Sequence, residues 1–295
     1  TGSDDGRVHR SQDGGGNWER IDTDLPQDLW VSRVYASHAY ESVVYLSLNG
    51  YRDDNFGSYV YRSTDRGDTW TPIGTDLPAE PVNVIKEDPL NPALLYVGTD
   101  HGLYVSLDTG NTFVPVTELP AVAVHDVVVQ EQAKDLIVGT HGRSLYRANV
   151  SMLQSLAGKS DPSLAIAAVE AQRYSSRYGT SSWFREDTGP EVSIEVYSPV
   201  ATEDATLSVQ SEDGTVWSQQ SVALTTGLNT ITYDLTFEAD MAEDMEERLN
   251  DARKEDEKPE VVEPAENGVF YLRPGTYQLV IEVDGNTETT DLEVK

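Results

Sequence analysis

Apolar and polar positions alternate along most of this chain in short runs. Val31-Ser32-Arg33-Val34-Tyr35-Ala36, Ser42-Val43-Val44-Tyr45-Leu46-Ser47-Leu48, Tyr59-Val60-Tyr61-Arg62-Ser63 and Pro81-Val82-Asn83-Val84-Ile85 are four of them. Leu94-Leu95-Tyr96-Val97-Gly98-Thr99, Gly102-Leu103-Tyr104-Val105-Ser106, Val124-His125-Asp126-Val127-Val128-Val129 and Asp135-Leu136-Ile137-Val138-Gly139-Thr140 continue the series. A period of two over four to eight residues predicts strands. Asp24-Leu25-Pro26, Asp76-Leu77-Pro78 and Glu118-Leu119-Pro120 punctuate the series, because proline cannot continue a central strand.

Between strands a short motif recurs. Ser11, Asp13, Gly15 and Trp18 form the first copy, Ser63, Asp65, Gly67 and Trp70 the second, and Ser106, Asp108, Gly110 and Phe113 the third. The aspartates lie 52 and then 43 residues apart, the span of one small antiparallel sheet. A short Asp side chain accepts hydrogen bonds from its own turn, the Gly supplies a backbone conformation that other residues resist, and the aromatic packs on the sheet. The boxes therefore read as structural hairpin corners rather than catalytic or metal-binding sites. A fourth unit, 124–147, repeats the strands without a box.

Four such sheets predict a β-propeller, but three to four blades are too few to close a ring, which usually has four to eight. The expected partners are the remaining blades, from upstream sequence or another chain, since an open arc exposes apolar faces. The first residues already read as repeat sequence, so the expectation is of a fragment or a processed product.

The runs Val82 to Pro89, Leu95 to Ser106 and Gly139-Thr140-His141-Gly142-Arg143 resemble the last blades of large bacterial Asp-box (BNR-repeat) propeller proteins. These are the glycosyl hydrolase-like relatives of the sortilin-type propellers, and their insertion loop has a counterpart in Asn49 to Phe56. The resemblance covers residues 1–150 and implies a propeller fold. The hydrolase label of that family rests on shared repeats, so it is associational.

Residues 151–189 read as a linker with short helices. Ser151 to Leu156 is helical, a second segment spans Leu164 to Tyr174, and 175–190 is a polar connector. From 190 to 295 the period of two returns, with Glu212-Asp213-Gly214-Thr215 and Asp284-Gly285 as hairpin turns. The expected fold there is a small sandwich of immunoglobulin or fibronectin type. Arg273-Pro274-Gly275-Thr276-Tyr277 is similar to the start of the last hairpin in accessory sandwiches that follow such propellers. Residues 237–268 interrupt it with an acidic helix former, expected as a solvated excursion or a cation- or partner-binding segment. The fold class is thus all-β: a partial propeller of about four blades, then a sandwich with an acidic helical insertion.

Composition narrows the setting. The net charge is −30, from 51 acidic and 21 basic residues, of which only six are Lys. Such a surface repels phosphate backbones and anionic membranes, so nucleic-acid binding and membrane insertion are not expected. Many carboxylates with few lysines suit a high-salt environment, and the absence of Cys fits a secreted or cell-surface bacterial protein.

Catalytic signals are sparse. Arg52, Asp53 and Asp54, with Tyr51 and His38 near in sequence, are the only acidic cluster in interesting company, and they read first as a surface insertion and only second as a catalytic set. A glycosidase needs two carboxylates about 5 to 10 Å apart across a cleft. Arg52 and Arg143 are candidates for a sialidase-like arginine set whose other members cannot be assigned. His141 and Arg143 either line a central channel or hold a blade junction. His38, His101, His125 and His141 are spread along the repeats and give no ligand pair. No cofactor or metal site is expected, and Trp30, Trp183 and Trp217 have no assigned role. Two functions follow: a non-catalytic module that binds protein or glycan, or the C-terminal part of a glycan-active hydrolase.

Overall fold

A computed structural model describes residues 1–117, 119–180, 189–253 and 258–295. Glu118 of the third Leu-Pro junction, residues 181–188 of the polar connector with Trp183, and 254–257 of the acidic insertion lie outside the described residues. The chain is all-β, built of several antiparallel sheets, and divides into two compact units, Thr1–Pro162 and Ser163–Lys295.

The first unit begins with a pair, β1 (His9–Arg10) and β2 (Glu19–Arg20). A four-stranded meander follows: β3 (Trp30–Ala36), β4 (Val44–Gly50), β5 (Asn55–Ser63) and β6 (Thr71–Pro72). The second meander is β7 (Val82–Glu87), β8 (Leu95–Thr99), β9 (Leu103–Ser106) and β10 (Val114–Pro115). The third has three strands, β11 (Val124–Gln130), β12 (Asp135–Thr140) and β13 (Leu145–Asn149). Each of these sheets pairs neighbours in chain order, so every link is a hairpin.

Burial explains the apolar runs. Strand β8 is buried at all five residues and β4 at six of seven, because sheets pack against both of their faces. Val43, Tyr45, Val60 and Leu77 of the first meander share a core with Val82, Ile85, Leu95, Val97 and Phe113 of the second. Val8, Leu25 and Leu29 pack likewise with Val31, Leu46, Leu48 and Trp70. The third sheet differs. Val127, Val129, Leu136 and Val138 are buried on one face, while on the other Val128 is 49% and Leu145 70% exposed.

All three sheets carry a β-bulge between their first two strands at the same place. Ser32, Asn83 and His125 are the extra residues, one in each first strand. A bulge kinks its strand and re-aims the side chain it inserts.

Helix α1 (Ser151–Leu156) closes the unit. Its Met152 and Leu156 are buried, and Asn91 Nδ2 donates to the carbonyls of Gln154 (2.8 Å) and Ala157 (3.0 Å) near its C-terminus. These carbonyls have no partner within the helix, so the Asn91 amide takes the place of water.

In the second unit β14 (Ala165–Ile166), β15 (Val192–Ser198) and β18 (Gly227–Tyr233) form one sheet. Strands β16 (Thr202–Gln210), β17 (Val216–Leu224), β21 (Gly275–Val283) and β22 (Asn286–Val294) form another. Val192, Ile194, Val196 and Ile231 meet Leu207, Val209, Trp217, Tyr277, Leu279, Ile281 and Leu292 in a single core. A short pair, β19 (Thr236–Phe237) and β20 (Phe270–Tyr271), brackets helix α2 (Ala242–Asp251).

Two expectations change here. Leu164 to Tyr174 is extended rather than helical, with β14 pairing to β15, and α1 is the only helix among the described residues of 151–189. The acidic helix is not a free excursion. Met245 is fully buried in the core, and the Arg248 guanidinium lies 5.6 Å from the Trp217 ring centre and 4.8 Å from that of Tyr277. Among the described residues, no helix is long and apolar enough to cross a membrane.

Candidate functional site

The three boxes share one hydrogen-bond pattern. Ser63 Oγ accepts the Gly67 N–H at 2.7 Å and donates to Asp65 Oδ1 at 2.7 Å. Asp65 then accepts the Thr69 N–H on Oδ1 (2.9 Å) and the Thr69 hydroxyl on Oδ2 (2.6 Å). Ser106, Asp108, Gly110 and Thr112 repeat these contacts. Ser11, Asp13 and Gly15 do so as well, with Asn17 in place of the Thr. Hydrogen bonds to the ionised form lower a carboxyl pKa. The Thr69 hydroxyl, the Thr69 N–H and Ser63 bring Asp65 to about 2. The Asn17 N–H, the Asn17 amide and Ser11 bring Asp13 to about 2. Burial pushes Asp108 upward, but the Thr112 N–H and hydroxyl and Ser106 outweigh it. Carboxylates so engaged stay ionised at neutral pH and are committed to closing their own turns.

The second and third boxes also dock on the repeat before them. The Trp70 indole N–H donates to the carbonyl of Ile21 at 2.7 Å. Arg10 clasps the same turn, bonding the Arg66 carbonyl at 2.9 Å and Asp68 at 2.8 Å. Gly67, at φ 94°, faces Ile21 so closely that a Cβ would lie 2.5 Å from its Cδ1. Gly110 stands in the same relation to Ile73, at 2.7 Å, and the Phe113 N–H bonds Asp76. Trp70 and Phe113 are consequently 9% and 7% exposed. Trp18 of the first box is 55% exposed and lines an open cleft with Arg10, Arg66 and Trp70. The expectation that each box aromatic packs on a sheet fails at Trp18, which has no preceding repeat against it among the described residues.

The insertion loop sits between β4 and β5. Tyr51, Arg52 and Asp53 form one 3-10 turn, and Asp54 ends it in the left-handed conformation, φ 55°. All four are exposed. Arg52 stacks over Trp30 at 5.0 Å, which gives that tryptophan a partner, and Tyr51 meets Phe56 edge-on at 6.1 Å. Asp53 and Asp54 are therefore neighbours on one exposed turn, not carboxylates facing each other across a cleft. His38 is elsewhere, its N–H on Glu87 Oε1 at 3.2 Å.

Polar contacts cluster where the bulges lie. Asn49 donates to Asn83 at 2.9 Å, and Asn83 donates to Asp100 at 2.9 Å. Ser32 bonds the Val82 carbonyl at 2.7 Å, and Arg33 of β3 reaches Asp126 of β11 at 2.8 Å. In the third sheet the rings of His125 and His141 lie 5.2 Å apart, tilted by 58°. The histidines are thus not all separate, as the sequence had suggested: this pair shares one sheet. The His141 N–H bonds the Ala123 carbonyl, so the backbone holds that junction. Arg143 is exposed.

Sequence reasoning passed over the adjacent buried acids Glu87 and Asp88. Glu87 accepts from Ser37 Oγ (2.7 Å) and Tyr45 OH (3.0 Å), and Asp88 from Tyr96 OH (2.9 Å) and the N–H groups of Leu90 and Asn91. Glu87 ends β7 and Asp88 follows it, and the tyrosines that meet them are the second residues of β4 and β8, a placement with no motif that would have marked them.

No protein-family model matches the chain, and no curated protein does. Several solved structures do. YCF48 bound to a D1 peptide matches with TM-score 0.35 and 12% identity over 74% of this chain and 63% of that one. PorZ, a surface component of the type-IX secretion system of Porphyromonas gingivalis, matches with TM-score 0.38 and 11% identity over 100% and 42%. A Niastella koreensis GH74 enzyme matches with TM-score 0.36 and 13% identity over 99% and 45%. All three are β-propeller proteins, and this chain spans less than two thirds of the length of each.

Proposed function

We propose that Thr1–Pro162 forms successive blades of an Asp-box β-propeller, completed by sheets from elsewhere in the same protein or from another chain. The assembly acts as a non-catalytic interaction module, outside the cell or on its surface, with a protein or glycan as ligand. Ser163–Lys295 is then its accessory sandwich of immunoglobulin type.

The contrast among box aromatics carries this reading. Trp70 and Phe113 are covered by the repeat before them, while Trp18 lies bare. At the far end of the same unit Val128 and Leu145 face solvent on the open side of the third sheet. Uncovered apolar surface at both ends of a series of sheets is buried when a ring closes. The alternative, a glycan-active hydrolase, needs catalytic carboxylates from outside these residues, because Asp53 and Asp54 share one exposed turn.

Sedimentation velocity tests the reading. The 295-residue chain is expected to associate with rising concentration, and Trp18→Ser and Leu145→Ser are each expected to weaken that association. A chain that stays monomeric at every concentration overturns it.

A further inference from the structure

We propose that His125 and His141 form a two-imidazole chelate for a divalent transition ion of the zinc, copper and nickel class. His125 is the bulge residue of β11, and His141 follows the last residue of β12. Both are exposed, and among the described residues neither imidazole makes a hydrogen bond or an ion pair. Their ring centres are 5.2 Å apart. An ion about 2.0 Å from a nitrogen of each ring, bound with tetrahedral angles, places two imidazole centres about 5 Å apart. The observed spacing therefore fits a shared ion.

The fold enforces the juxtaposition. In the second sheet the corresponding positions are the bulge residue Asn83 and Asp100, just past the end of β8. Their side chains meet at 2.9 Å, so the same backbone geometry brings two different side-chain pairs together. Two imidazoles at these positions are preorganised, which removes much of the ordering cost of chelation.

The neighbouring carboxylate does not join them. Asp126 is held by Arg33 (2.8 Å) and by the Val127 N–H (3.0 Å). Among the described residues no three His, Asp or Glu side chains converge as a metal cluster. The ion would thus keep positions for water or for a donor from a partner. Imidazole suits zinc, copper and nickel, and the Irving–Williams order makes copper(II) the tightest of these. A net charge of −30 raises the local concentration of any divalent cation.

The test is titration of the full chain with copper(II) and with zinc(II), by calorimetry and by electron paramagnetic resonance for copper. The expected result is one saturable site with two nitrogen donors. His125→Ala and His141→Ala should each weaken binding at least ten-fold and leave one nitrogen donor. The double variant His125→Asn with His141→Asp, which installs the pair found in the second sheet, should abolish the two-nitrogen signal with unchanged circular dichroism. His9→Ala, His38→Ala and His101→Ala should leave binding as it was. Wild-type affinity in either single variant at the proposed pair, or no saturable site in the wild type, overturns the proposal.

Discussion

The Trp70 indole donates its N–H to the carbonyl oxygen of Ile21, 49 residues earlier, at 2.7 Å. The bond joins the corner of one sheet to the strand exit of the sheet before it, and a glycine beside it leaves room for the Ile21 side chain. Trp70→Phe keeps the ring and loses the bond, at a cost of about 1 kcal/mol. Ile21→Ala removes the side chain beneath Gly67 and Trp70, at a cost of about 2 kcal/mol. Trp18→Phe, at the exposed box, should leave stability unchanged. Urea unfolding of the three variants checks the order.

Acid should loosen the boxes within a defined window. Asp13 and Asp65 are lowered from 3.8 to about 2. A depressed carboxyl pKa gives stability that is present above the unfolded value and lost as pH falls through the folded one. The contribution should therefore hold at neutral pH and disappear between about pH 4 and about pH 2. Chemical-shift titration of the two carboxyl groups reads the values directly. In Asp65→Asn, stability should be lower at neutral pH and should change less across that window.

Glu87 is a second sensitive point. It is fully buried and accepts hydrogen bonds from Ser37, the His38 N–H and Tyr45. The Tyr45 hydroxyl is itself driven upward in pKa by burial and by the Glu87 charge. Glu87→Ala strands buried donors and should cost about 3 kcal/mol or more. Tyr45→Phe removes one donor from an acceptor that keeps others, and should cost about 1 kcal/mol. Thermal denaturation monitored by tyrosine fluorescence separates the two.

Met245 anchors helix α2 in the core of the second unit. Met245→Ala should destabilise that unit by about 2 to 5 kcal/mol. Arg248→Ala, which removes contacts with the Trp217 and Tyr277 rings, should cost about 1 kcal/mol. Exposed charges of the helix such as Glu247→Gln should be neutral. A helix free in solvent would respond to none of the three.

No polysaccharide hydrolysis is expected from these 295 residues. Reducing-end assays on β-glucans and release assays on sialosides should give background rates. Turnover that vanishes in Asp53→Asn or Asp54→Asn would make the exposed turn catalytic after all.

The strands and hairpins were legible because both devices that make them are local. Period-two runs mark faces, and Ser, Asp and Gly of a box close a turn with their own backbone. The bulges at Ser32, Asn83 and His125 were not legible, since a bulge is a property of register between strands and leaves no mark in composition. The meeting of His125 with His141, sixteen positions apart, depends on that register. The buried anchor at Met245 was hidden by its acidic neighbours, which made the segment read as solvated. Trp18 and Trp70 stand in nearly identical motifs, and only what packs against them tells them apart.

The docking of the second and third boxes on the repeats before them also bears on how such an array grows. Gly67 meets Ile21 as Gly110 meets Ile73, so both of these joints use the same two parts and point the same way along the chain. The second repeat carries both parts, Gly67 for the joint before it and Ile73 for the joint after, so duplicating it in the gene supplies a complete new joint. The number of repeats is then free to drift while the chemistry of each seam stays constant.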